Sequence, residues 1–235
     1  MRWFFPIFSM GLVPVAALSA CTTFGAGTTP TDAGDDSSVD STADGGQKDS
    51  TAEAPDALSR DAGPMACAGG KARVFVTSEA FFVTRLNVSG KSPQIAADEI
   101  CQAAASKAAL ASTGWTAWLS TATSAAPATM PASPAGYTDV KCEREIATVL
   151  GNGSLNEPIN TTESGAKLID PLHTVWTGTK ADGSIGATCL NWMSRVGPVT
   201  SGDTEQKDGL WTDSPGVTCA SSGRLYCIEG ARKGL

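Results

Sequence analysis

The chain has 235 residues, with 17 Lys+Arg against 24 Asp+Glu and a formal net charge of −7. That acidic balance argues against a nucleic-acid binder, which needs a cationic face, and residues 67–235 hold no basic cluster. A single His excludes a three-His zinc centre, and seven Cys, an odd number, leaves at least one outside any intrachain disulfide.

The first 21 residues read as an export signal. Arg2 supplies a minimal positive start, and residues 3–17 form an uncharged, mostly apolar run. A membrane-crossing helix needs about 20 such residues, so this run is too short to span and fits a signal h-region. It ends in Leu18-Ser19-Ala20-Cys21, which resembles a bacterial lipobox: a branched apolar residue, two small residues that fit the peptidase pocket, then a cysteine whose thiol accepts diacylglycerol. The plainer alternative is an ordinary signal peptide cut after Ala20. The h-region and the four-residue match coincide, which favours the lipoprotein. Residues 1–20 are then the signal peptide and Cys21 the lipidation site. Each buried CH₂ of the acyl chains contributes about 0.8 kcal/mol to the membrane anchor. Thr22 stands where the inner-membrane retention signal of Gram-negative lipoproteins carries Asp. The expected location is therefore the outer membrane, facing the periplasm or the cell surface.

Residues 21–66 carry the lipidated cysteine and then a tether of Thr, Ser, Asp, Gly, Ala and Pro. It has nine acids and two bases, and no aromatic residue between Phe24 and Phe75. Such a segment cannot bury enough apolar area to offset its backbone entropy, so it is expected to be disordered. As a coil it would span roughly 35–40 Å. It also holds the whole net charge: two bases minus nine acids gives −7, and residues 67–235, with 14 bases and 15 acids, are nearly neutral.

Residues 67–235 are enough for one core. In chain order, residues 73–77 and 80–86 read as strands. Ser92 and Pro93 form a capped helix start, followed by Ala97, Ile100, Cys101, Ala104 and Ala108 on one apolar face. Residues 115–120 alternate as a strand. A second helix is expected over 139–150, with Cys142, Ile146, Val149 and Leu150 as its stripe. Residues 174–178, 188–192 and 225–228 complete the strands. Loops rich in Gly, Ser and Pro separate them. Helices early, strands late and no βαβ alternation give an α+β class.

Six cysteines fall here: Cys67, Cys101, Cys142, Cys189, Cys219 and Cys227. An even set in an exported domain implies three disulfides. A structural zinc is the competitor, weakened by the absence of any CxxC pair and by His173 being the one imidazole. No metal or cofactor is expected, since no phosphate loop or dinucleotide fingerprint is present. A Ser-His-Asp hydrolase would have to use His173, with Asp170 three residues before it, and no G-x-S-x-G elbow exists. Paired loop carboxylates remain an open route to hydrolysis, but nothing in their spacing selects a pair. Trp115, Trp118 and Trp176 lie in strands and read as core. Trp211, between Leu210 and Thr212, is the candidate for an exposed sugar platform.

The ordered set Ala97-Asp98, Cys101, Leu110 and Trp115-Thr-Ala-Trp-Leu-Ser120 resembles endostatin, the C-terminal module of certain collagens. Val175-Trp-Thr-Gly178, Asp182-Gly183, Cys189-x-x-Trp192, Cys219 and residues 225–229 continue that pattern in order. Bacterial endostatin-like surface lipoproteins share it. The resemblance implies a C-type-lectin-like fold: two helices on a twisted, mainly antiparallel sheet, disulfide-stapled, with long loops. It implies Cys101 with Cys227 and Cys189 with Cys219. That leaves Cys67 with Cys142, a pair the collagen modules lack. The zinc histidines and heparin-binding arginine clusters of those modules have no match here. Glu157-Pro-Ile-Asn160 and Asn191-Trp192-Met193 stand near, but are not, the calcium triplets of sugar-binding C-type lectins. They read as a loop acid and a turn residue. The expectation is an outer-membrane lipoprotein presenting a non-catalytic binding module for an extracellular-matrix, host or cell-surface protein or glycan. The competitors are an exported hydrolase of polysaccharide or peptide and a structural envelope protein.

Overall fold

The computed structural model describes residues 67–110 and 114–234. The expected signal peptide, the expected lipidation site Cys21 and the expected tether lie outside the described residues. The strands are β1 (Ala72–Val76), β2 (Phe81–Phe82), β3 (Trp115–Ala117), β4 (Tyr137–Asp139), β5 (Glu145–Ala147), β6 (Thr174–Trp176), β7 (Ser201–Asp203), β8 (Ser222–Gly223) and β9 (Tyr226–Glu229). Helix α1 spans Pro93–Lys107, and α2 is a single turn, Ala126–Thr129. Five strands form one sheet in the order β3-β9-β1-β4-β5, and β2-β8 and β6-β7 form two short ribbons. Within the large sheet β1 and β4 are parallel and the other pairs antiparallel. The class is mixed α+β.

Alternation explains why the large sheet is covered on both faces. Val74 and Val76 of β1 and Tyr226 and Ile228 of β9 point into one core, with Trp118, Ile146 and Trp211. Phe75 and Cys227 point into the other, with Ala97, Cys101, Trp115, Trp176 and Trp192. Helix α1 covers that second face. Its start is built as the sequence suggests: the Ser92 hydroxyl accepts from the Ile95 amide at 3.3 Å, and Pro93 opens the first turn. Asp98 on this helix accepts from the Ala117 amide at 2.7 Å and takes the fork of Arg232 at 2.7 and 2.8 Å. One carboxylate thus ties the helix to β3 and to the segment after β9. Arg73 and Glu229 make a second such fork between β1 and β9, at 2.9 and 2.6 Å.

Three disulfides join Cys67–Cys142, Cys101–Cys227 and Cys189–Cys219. Cys101–Cys227 and Cys189–Cys219 are the pairs the resemblance implies, and Cys67–Cys142 is the pair it left over. They bridge separations of 75, 126 and 30 residues, and disulfides of this number persist in oxidising, extracytoplasmic compartments. Among the described residues no helix is long and apolar enough to cross a membrane.

Three local expectations are overturned. Residues 137–147 form a β-hairpin, so 139–150 is not a second helix. The Asp139 carboxylate accepts from the Glu143 and Arg144 amides at 2.9 and 3.3 Å and from Arg144 Nε at 3.1 Å. A side chain that satisfies nearby backbone donors competes with the helix and folds the chain into a turn. Cys142 sits in that turn at φ 62°. Residues 80–86 are strand only at Phe81–Phe82, and Val83–Leu86 is a 3₁₀ turn. Residues 188–192 are not a strand either, and their actual conformation builds the site.

Candidate functional site

Cys189, Leu190, Asn191 and Trp192 all adopt positive φ, at 51°, 53°, 57° and 67°. This is a full left-handed turn made without glycine. For L-residues that conformation costs roughly 1–2 kcal/mol each, Asn being the tolerant exception. Strain of this kind survives only where the surroundings over-determine it. Here Cys189 is bonded to Cys219. The Thr188 hydroxyl accepts from the Asn191 amide at 3.3 Å, and Asn191 Oδ1 accepts from the Ala122 amide at 3.1 Å. Trp192 is wholly buried, and its indole N–H donates to the Ser120 carbonyl at 2.8 Å. Gly178 leaves room for that ring, since a Cβ there would stand 2.8 Å from it.

Between the two buried anchors, Cys189 and Trp192, and just after them, apolar side chains face outward. Leu190 is 72% exposed, Met193 57% and Val196 77%. Three of the eight exposed large apolar side chains among the described residues thus fall within positions 190–196. They line an open cavity of about 620 Å³ with Ala122, Ile185 and Pro198, and no charged residue lines it. Arg195 lies between the lining residues Met193 and Val196 in the chain and is not itself a lining residue. Its guanidinium lies 3.8 Å from the centroid of the Phe82 ring and donates to the Ala220 carbonyl at 3.1 Å. Phe82 is the one exposed aromatic side chain among the described residues.

A second cavity, about 530 Å³, is polar and includes Glu157 and Asn160 in its lining. Arg144 in its lining donates to Asp139, to Asn160 Oδ1 at 3.2 Å and to the Thr161 hydroxyl. Asp139 and Arg144 are therefore spent on holding the hairpin to the 157–167 loop. General acid catalysis relies on a carboxylate tuned by burial, whereas the two uncommitted acids there, Glu143 and Glu157, are exposed.

The residues singled out from the sequence are distributed as follows. Glu157 and Asn160 line the polar cavity and Asn191 the apolar one, so the two lectin-like triplets are not brought together. Among the described residues no group of three or more His, Cys, Asp or Glu is placed to hold a metal ion. His173 Nδ1 faces the Thr204 hydroxyl at 3.3 Å, and Asp170 pairs with Arg224 at 2.7 Å instead of orienting the imidazole. Trp211 is not an exposed platform. It is 1% exposed, packed 5.0 Å from the Trp118 ring and 5.6 Å from Tyr226. Asp208 explains this, because its carboxylate accepts from the Leu210 amide and closes a 3₁₀ turn that tips Trp211 inward. Sequence reasoning missed Leu190, Met193 and Val196 altogether. The available signal was Asn191, a residue suited to left-handed backbone, between two residues of strong burial tendency. No family model and no curated protein matches this chain.

Proposed function

We propose that this chain is a lipid-anchored, non-catalytic binding module, endostatin-like with a C-type-lectin-like fold, that docks an extracellular protein on the apolar groove of residues 188–198. The observation that carries the reading is the left-handed turn, which holds Leu190, next to Met193 and Val196, out in solvent. Contiguous exposed apolar side chains mark interaction sites on soluble domains, and Met, aromatic and Arg residues are enriched where proteins meet. A glycan is the weaker occupant. Sugar platforms use open aromatic faces, all five tryptophans of the domain are buried, and the Phe82 face is covered by Arg195. The fold assignment is supported by the disulfide between α1 and β9 and by the mainly antiparallel five-stranded sheet. It departs from the two-helix plan in having one long helix among the described residues.

The test uses full-length protein in detergent on parallel arrays of extracellular proteins and glycans. The expected result is saturable binding to a small set of proteins, with acyl chains on Cys21 by intact mass. Binding to glycans alone would overturn the protein-docking reading. Turnover of a polysaccharide or peptide, abolished by one carboxylate substitution that leaves the fold intact, would replace it with the hydrolase.

A further inference from the structure

The groove is uncharged, but the chain segment that lines it carries one cation, Arg195. Arg195 is exposed and forms no ion pair with any described carboxylate, while Arg73, Arg85, Arg144, Arg224 and Arg232 each have one. It is nonetheless fixed in place. Its plane rests on Phe82, one N–H is held by the Ala220 carbonyl, and Ala220 follows the bridged Cys219. A long cation normally loses rotamer freedom when it binds, and one already immobilised loses less. Its chain neighbours on both sides contribute to the groove, Met193 two positions before and Val196 one after.

Resting on the docking reading above, we propose that the groove recognises an extended acidic–aliphatic segment of its partner protein. An aliphatic side chain of that segment sits among Leu190, Met193 and Val196, and an Asp or Glu close by in the same segment pairs with Arg195. The apolar contact supplies burial, and the carboxylate supplies orientation through a charge-assisted, two-pronged hydrogen bond. The uncharged lining makes this selective. A basic segment would meet Arg195 with like charge and find no acid in the groove to offset it.

The test is fluorescence anisotropy of full-length protein with three sets of synthetic peptides. Each carries the same two or three aliphatic residues, flanked by Asp/Glu, by Lys or by Ser. The acid-flanked set should bind at least tenfold tighter than the Lys-flanked set. That preference should shrink at high salt and reverse in Arg195→Glu. Leu190→Ser should weaken all three sets. If aliphatic peptides bind through Leu190 with no charge preference, the acidic partner is wrong and the docking groove stands. If no set binds, both are wrong. Arg195→Gln, which keeps the stacking surface and removes the charge, separates loss of charge from a disturbed loop: retained acid preference in that variant would overturn the assignment to Arg195.

Discussion

Leu190 is the residue at which backbone and side chain are both in unfavourable surroundings. Its backbone is at φ 53° and ψ 54°, and its side chain is mostly in water. Asn at the same position relaxes the backbone, since Asn visits this region readily. Leu190→Asn should therefore stabilise the domain by about 1 kcal/mol, read as a higher urea midpoint with an unchanged slope. A lower midpoint would mean that the left-handed turn is not strained. Gly178 is the reverse case, with Trp192 already against it. These residues also show where a sequence falls silent. An apolar residue reads as interior by default, so nothing in Leu190, Met193 or Val196 announced exposure. Trp211 failed in the opposite sense: its place outside the expected strands suggested solvent, and the Asp208 turn put it in the core.

At the scale of elements, α1 was legible because cap, proline and apolar spacing agree in one segment. The 137–147 hairpin was not, because Cys142, Ile146 and Leu150 repeat at a helical period by coincidence. The deciding group is the Asp139 carboxylate, whose hold on two amides periodicity does not register. The disulfides divide by what they hold. On the chain-entropy model the Cys101–Cys227 bond contributes about 5 kcal/mol and the Cys189–Cys219 bond about 3.5 kcal/mol. Replacing Cys101 and Cys227 by Ala should lower stability by about 3–5 kcal/mol and leave binding by the surviving folded fraction intact. Replacing Cys189 and Cys219 should lower stability less and binding more, because the left-handed turn loses a covalent anchor. Equal effects on binding, measured by titration at a temperature where both variants are folded, would deny that turn its role.

At the scale of the molecule, the acidity belongs to residues 21–66 and the domain is close to neutral. Its pH response therefore depends on particular buried groups. The chain has two tyrosines. Burial raises the phenol of Tyr137 above its ordinary value of 10.0. It raises Tyr226 much further, with Asp203 and Glu205 adding to it. Both lose their protons more readily when unfolded. Stability from this source is fully present below about pH 10 and is lost as pH rises above it. Tyrosinate absorbance should accordingly appear together with alkaline unfolding, and a tyrosine titrating freely in the folded domain near pH 10 would contradict the burial described. The central claim, that the strained turn exists to present a docking surface, is tested most directly by the affinity of Leu190→Asn for the protein that the wild-type chain binds. The account predicts at least a tenfold loss in affinity from a variant that is folded and more stable than wild type. Undiminished binding by that variant would contradict it.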